Sequence, residues 1–233
     1  MKYPKLLCLC FLLFFSFSGE SQITETLRQI KLQQAAVIDA LEDISYPSKS
    51  GRVHHFYLNK NWQNSFVITL DDETIYFNGR YNVLNKTIES HWKGEQRVIY
   101  PKKIKAAQIG ENLLIPIGAD QIRQVDNNRY LEVLSFGKLN LLNGYGLETK
   151  METGSSLSFQ GTGKKTYFID ETLYHTSDFK TIEKLDNSKG KILDLFGQQE
   201  KAVANFAKEN RLRFNNKEDL RLIFDFFNSL GSP

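Results

Sequence analysis

Residues 64–100 alternate with a two-residue period between closely spaced turns, and this constrains the fold more than any other feature. Side chains two apart on a strand share one face of a sheet, as Phe66, Ile68 and Leu70 would. No helical spacing interrupts the stretch. Short links oblige neighbouring strands to run antiparallel, because a parallel pair needs a crossover of about a dozen residues or more. We therefore predict an antiparallel β-meander, curled or barrel-like, with turns at Asp71-Asp72, Asn78-Gly79, Asn85-Lys86 and Lys93-Gly94.

Apolar and β-branched segments continue the strand pattern, so residues 51–186 are predicted to form one antiparallel β domain. Pro116 lacks a backbone donor, which predicts an edge position for its strand. Residues 151–163 are rich in Gly, Ser and Thr, which predicts a loop. Further strands are predicted at 104–109, 113–117, 130–136, 139–142, 166–169 and 181–185.

Helical spacing appears in residues 187–233, which are predicted to form a C-terminal three-helix segment packed on the sheet. Ser188 can cap the first helix, and Asn216, three residues before Asp219, can cap the last. Leu220, Ile223, Phe224 and Phe227 then follow on one helical face, which must be buried against another element. The predicted fold class is α+β.

The N-terminus has the pattern of a signal peptide, predicted to span residues 1–21. Lys2 and Lys5 precede an apolar run over Leu6–Phe17, which is shorter than the ~20 residues that a membrane-spanning helix needs. Small residues follow, so cleavage is expected after Ser21 or after Ser18. We expect an exported protein, periplasmic or extracellular, without a transmembrane segment once the signal peptide is removed.

Residues 22–50 are predicted to form an N-terminal helix, over residues 23–43, and a linker that contains Pro47. Both cysteines, Cys8 and Cys10, lie inside the signal peptide. The mature chain is therefore expected to be cysteine-free, with neither a disulfide nor a thiolate metal site.

The charge distribution indicates no nucleic-acid partner. The chain has 30 basic and 27 acidic side chains, and the basic ones form no extended stripe. The four histidines do not suggest a metal site: His54 and His55 are adjacent, and on a strand they would point to opposite faces. We expect no metal and no cofactor.

The acidic residues fall in two clusters, Asp71-Asp72-Glu73 and Asp170-Glu171, and both are predicted to be turns because Asp bonds to the local backbone. One alternative function remains open: a secreted hydrolase whose site the fold assembles from acids and a histidine. Its candidate residues are Asp71, Asp72, His91, Asp170 and His175.

Aromatic residues are frequent in the meander, where they would either fill the core or form a platform for a sugar or peptide. The candidate binding residues are Tyr76, Tyr81, His91 and Trp92. No motif for catalysis accompanies them. We therefore expect an exported, non-enzymatic binding or interaction protein of the bacterial envelope, whose partner is a protein, a glycan or an apolar ligand.

The C-terminal residues 188–230 contain a Lys-rich helix start, the pair Leu195-Phe196 and a closing helix with Asp219-Leu220 and Phe226-Phe227-Asn228. Together with YNVLNKTIES at residues 81–90, this pattern resembles uncharacterised exported proteins common in Bacteroidota. The resemblance implies the same architecture, a strand-rich region followed by a helical segment, and an exported location. It implies no activity and no functional residue.

Overall fold

The computed structural model describes residues 56–92, 95–152 and 164–230. The predicted signal peptide, N-terminal helix and linker lie outside these residues. Ten strands form one antiparallel sheet in the order β10-β9-β8-β7-β6-β5-β1-β2-β3-β4. The strands are β1 Gln63–Thr69, β2 Thr74–Asn82, β3 Thr87–Trp92, β4 Glu95–Ile99, β5 Ile104–Ile109, β6 Asn112–Pro116, β7 Tyr130–Ser135, β8 Asn140–Glu152, β9 Lys164–Thr176 and β10 Glu183–Lys184.

The predicted antiparallel sheet is confirmed, although the chain does not follow a single meander. It runs through β1 to β4, and β5 then pairs with β1 on the other side of the sheet. Three strands lie between β4 and β5 in the sheet, so β4 and β5 are four ladder steps (strand-to-strand spacings) apart, or about 19 Å in a flat sheet. Only residues 100–103 join these two strands. Since so short a link spans those steps, this half of the sheet must be curled.

The curl gives the sheet an inner face that carries an aromatic core. Tyr81 of β2, Tyr130 of β7 and Tyr145 of β8 meet there, with Tyr81 and Tyr130 ring centroids 5.9 Å apart. The Tyr130 hydroxyl also donates to the Ile99 carbonyl oxygen, 3.0 Å away on β4. The sheet does not close, because the hydrogen-bonded ladder ends at β10 and β4.

The C-terminal helices form the second core, as predicted. They are α1 Lys189–Asp194, α2 Glu200–Glu209 and α3 Lys217–Ser229. Leu141 of β8 packs among their apolar side chains, including Phe196 and Phe224. Leu141 lies four residues from Tyr145, so both cores occupy the same face of β8. Among the described residues, no helix has the length and apolarity of a membrane span.

Both predicted helix caps are confirmed. The Ser188 side chain accepts a hydrogen bond from the Lys191 backbone N–H at 3.3 Å, and Asn216 accepts one from the Asp219 N–H at 3.0 Å. These side chains satisfy backbone donors that have no partner inside the helix. The apolar face of α3, with Leu220, Ile223 and Phe224, is buried as its spacing predicted.

The turn predicted at Asn78-Gly79 is wrong, because both residues lie inside β2 and pair with β1 on one side and β3 on the other. Gly79 has a packing role instead: a Cβ there would clash with the Phe77 ring. The turn between β2 and β3 spans the four residues 83–86, with Lys86 at φ 54°. The turn at Asp71-Asp72 is confirmed, with Asp72 at φ 63°.

Three other predictions also need correction. Pro116 ends β6, which lies between β5 and β7 rather than at an edge; a missing N–H at the last position costs the ladder little. Asp170 and Glu171 lie inside β9, paired with Gly146 and Tyr145, and form no turn. Of the loop predicted over residues 151–163, the first two residues belong to β8 and the remainder lies outside the described residues.

Candidate functional site

Two of the four candidate binding residues come together on the outer face of the sheet, opposite the aromatic core. Tyr76 on β2 is 64 % exposed and packs beside Phe66, with ring centroids 5.8 Å apart. His91 on β3 is exposed and pairs with Asn78. Tyr76 is therefore a diagonal neighbour of His91, about 7–8 Å away.

The half-buried Trp62 and the exposed Val98 extend this surface. Trp62 precedes β1, and its ring centroid lies 5.6 Å from that of His91. Val98 on β4 is 43 % exposed and pairs with Glu89, whose side chain lies on the same face as His91. We name Trp62, Tyr76, His91 and Val98 the outer aromatic surface.

A buried ion pair lies beside the outer aromatic surface, on the same face of the sheet. Arg80 on β2 and Glu89 on β3 pair directly across the ladder, with the Arg80 Nη2 and Glu89 Oε2 atoms 2.9 Å apart. Asn82 and Gln96 each donate to the Glu89 carboxylate at 2.9 Å. Charge-assisted hydrogen bonds of this kind are about twice as strong as neutral ones, so the network fixes the register of β2 to β4.

The same network holds the segment before β1 against the sheet. The Arg80 guanidinium carbon lies 3.7 Å from the Tyr57 ring centroid and 4.1 Å from that of Trp62, so the guanidinium contacts both rings. The Tyr57 hydroxyl donates to Glu89 Oε2 at 3.1 Å. Burial and the nearby Glu89 carboxylate raise the pKa of Tyr57, and the Arg80 charge partly offsets this rise. Tyr57 therefore keeps its proton and acts as a donor.

Tyr81 does not belong to this surface. Tyr81 is fully buried in the inner core, so it forms no part of an exposed platform. Five positions separate it from Tyr76, and an odd separation places two side chains on opposite faces of a strand. Trp92 ends β3, and its side chain lies outside the part of the chain that the structure describes.

The residues of the hydrolase alternative are not brought together. Asp72 lies in the turn before β2 and forms an ion pair with Lys105 at 2.6 Å. It is six residues from Asn78, the residue that pairs with His91, which is about 20 Å along an extended chain. Asp170 and His175 lie five positions apart on β9 and so face opposite sides. His175 instead lies 3.7 Å from the Glu183 carboxylate.

The described residues contain no group of three or more His, Cys, Asp or Glu side chains suited to a metal ion. His54 and His55 lie outside those residues. A buried carboxylate does occur in the inner core, where Glu132 accepts from Tyr145 at 2.5 Å and from Asn112 at 2.6 Å. Burial and the Glu132 charge raise the pKa of Tyr145, which keeps its hydroxyl protonated as a donor.

Residues Arg80 and Glu89 were not predicted as part of the site. A two-residue turn at Asn85-Lys86 would pair Arg80 with His91, whereas the observed turn pairs Arg80 with Glu89. Opposite charges across a ladder stabilise it, and this preference is the signal that identifies the correct register. Comparison of the chain with protein-family models, curated proteins and solved structures gives no match.

Proposed function

We propose that this chain is an exported, non-enzymatic interaction protein of the bacterial envelope, which recognises a partner protein through the outer aromatic surface. The observation that carries this proposal is the exposure of Tyr76 beside His91 and Trp62. Isolated exposed apolar residues are normal in any protein. Aromatic and aliphatic side chains grouped on one sheet face are typical of an interaction site.

The composition of the surface favours a protein partner over a glycan or a small apolar ligand. Protein interfaces are enriched in Tyr, Trp and Arg at their centre and are surrounded by polar groups. Tyr76 and Trp62 would supply the aromatic centre, and Asn78 and Gln96 lie on the same face as polar neighbours. The surface also adjoins β4, the last strand of the ladder, where a partner strand could extend the sheet.

The network of Arg80 and Glu89 supports binding by keeping the surface rigid. Glu89 is 6 % exposed and is held by four different side chains, from Tyr57, Arg80, Asn82 and Gln96. Trp62 is fixed through its contact with Arg80. A surface that is already ordered loses less conformational entropy when a partner binds, so affinity is gained without further contacts.

A photo-crosslinking amino acid at Val98, in the cells that make the protein, tests this proposal. We expect one discrete protein adduct, lost when Tyr76 and His91 are both replaced by Ala. The matched control is Leu222→Ala, an exposed leucine on α3, which should leave the adduct unchanged. No adduct, or an adduct that survives the double substitution, would contradict the proposal, as would binding of glycans alone.

The proposed export is tested separately by cell fractionation and N-terminal sequencing. We expect the protein in the periplasmic or extracellular fraction, beginning at Gln22 or at Gly19. An intact N-terminus in the cytoplasmic fraction would contradict export and leave the interaction proposal to its own experiment.

A further inference from the structure

A cleft of about 460 Å³ opens among the C-terminal helices, away from the outer aromatic surface. Its floor is apolar and includes the buried side chains of Ala207 and Phe214 and the half-buried Leu212. Small-molecule sites commonly have volumes of about 300–1,000 Å³ and apolar linings with a few polar groups. The cleft therefore has the size and floor of a ligand site.

All three charged residues that line the cleft are cationic: Lys189, Lys208 and Arg213. Arg213 is partly neutralised by Asp219, with the Arg213 Nε and Asp219 Oδ2 atoms 3.2 Å apart. Within the described part of the chain, Lys189 and Lys208 have no carboxylate partner at ion-pair distance. A concave site lined by one sign of charge concentrates ions of the opposite sign.

The two kinds of lining lie next to each other. The Lys189 ammonium is 5.5 Å from the centroid of the Phe214 ring, which forms part of the floor. An anionic group held by the lysines would therefore leave an attached apolar body over Phe214 and Leu212. A free inorganic anion would use only the charges, and a neutral apolar molecule would use only the floor.

We propose that this cationic cleft binds a small ligand in which an anionic head group, a carboxylate or a phosphate, is attached to a short apolar body. The lysine ammonium groups bind the head group as mobile point charges. The apolar floor removes the body from water. This site is independent of the outer aromatic surface and of the partner proposed for it.

Titration calorimetry of the purified full chain with octanoate, octyl phosphate and octanol tests the proposal. We expect binding of octanoate, octyl phosphate or both, and none of octanol at the same concentration. The ratio of the two anion affinities identifies the head group as carboxylate or phosphate. The doubly substituted variant with Lys189→Gln and Lys208→Gln should bind about two- to thirty-fold more weakly, the range expected for two exposed charge contacts.

Lys201→Gln is the matched control, since Lys201 is an exposed lysine on α2 outside the cleft. It should change affinity less than twofold. The proposal is overturned if neither anion binds, if octanol binds as well as the anions, or if the control variant weakens binding as much as the double variant.

Discussion

The rings of Tyr81 on β2 and Tyr145 on β8 lie with their centroids 6.3 Å apart, although five ladder steps separate their strands. In a flat sheet those steps would span about 24 Å. The contact is therefore possible only because the sheet curls. The curl assigns the two faces: Tyr81 lies on the inner face and is buried in the core, whereas Tyr76 lies on the outer face and is exposed.

Tyr81→Phe should leave the free energy of unfolding unchanged or raise it by about 1 kcal/mol. The Tyr81 hydroxyl is buried and has no hydrogen-bond partner among the described residues, so its removal relieves a desolvation penalty. Tyr145→Phe is the matched comparison, because it removes the donor to Glu132 and should cost about 1–3 kcal/mol. Urea unfolding measures both changes, and a loss above 1 kcal/mol for Tyr81→Phe would contradict the packing described.

Arg80→Met should lower the free energy of unfolding by about 3 kcal/mol, because it leaves the Glu89 carboxylate buried without its cation. The double variant with Glu89→Met as well should lose less than the sum of the two single variants. A coupling free energy of about 1 kcal/mol or more is expected from the double-mutant cycle.

The control for this cycle is the exposed pair Arg221 and Glu218 on α3, whose Nε and Oε2 atoms lie 3.3 Å apart. Exposed pairs contribute about 0.2–1 kcal/mol, so coupling there should fall in that range. Equal coupling free energies in the two pairs would contradict the larger stabilisation expected from the buried pair of Arg80 and Glu89.

Much of the local structure could be predicted because it depends on neighbours in sequence. The caps at Ser188 and Asn216 depend on side chains that bond to the nearby backbone. The turn at Asp72 has a bond of the same kind, in which Thr69 Oγ1 accepts from the Glu73 backbone N–H at 3.1 Å. The Asn78-Gly79 prediction failed because ladder pairing on both sides of β2 overrode the local turn preference. Tertiary context decides such positions more than local propensity does.

The candidate site was predictable only in part. Strand alternation implies that Tyr76 and Tyr81 cannot share a face, so one of them had to be buried. Which one could not be deduced, because burial depends on the curl and hence on contacts from β7 and β8. The Arg80–Glu89 pair depends on the length of the turn between β2 and β3. Local preferences predicted a two-residue turn, which would have shifted the partner of Arg80 by two residues, to His91.

Asn216→Ala should cost about 1 kcal/mol of unfolding free energy, because the Asp219 backbone N–H then loses its acceptor. Asn216→Asp, which keeps an acceptor oxygen at the cap, should retain the wild-type value within a few tenths of a kcal/mol. Thermal or urea unfolding distinguishes these results. An equal loss in both variants would rule out the cap as the source of the stabilisation.

Acidification should destabilise the protein partly through His175. Burial lowers the pKa of His175, and the Glu183 carboxylate opposes this only in part. Since the unfolded chain then binds the proton more tightly, the stability contribution of the neutral imidazole is lost as pH falls below about 6.5. His175→Gln should therefore show a shallower fall in unfolding free energy between about pH 7 and pH 5 than the wild type.

Glu183→Gln is the matched variant for this pH dependence. Removing the carboxylate should lower the pKa of His175 further and make the fall steeper or extend it to lower pH. Identical slopes in the wild type and His175→Gln would contradict the buried, neutral state of this histidine.

Nuclear Overhauser spectroscopy of the aromatic side chains tests the curled sheet most directly, because both the inner core and the outer aromatic surface depend on the curl. We predict cross-peaks from the Tyr81 ring to the rings of Tyr130 and Tyr145, and cross-peaks from Tyr76 to Phe66 but to none of those three tyrosines. Absence of the Tyr81–Tyr145 cross-peak, together with one between Tyr76 and Tyr145, would place the two faces the other way round and contradict the account.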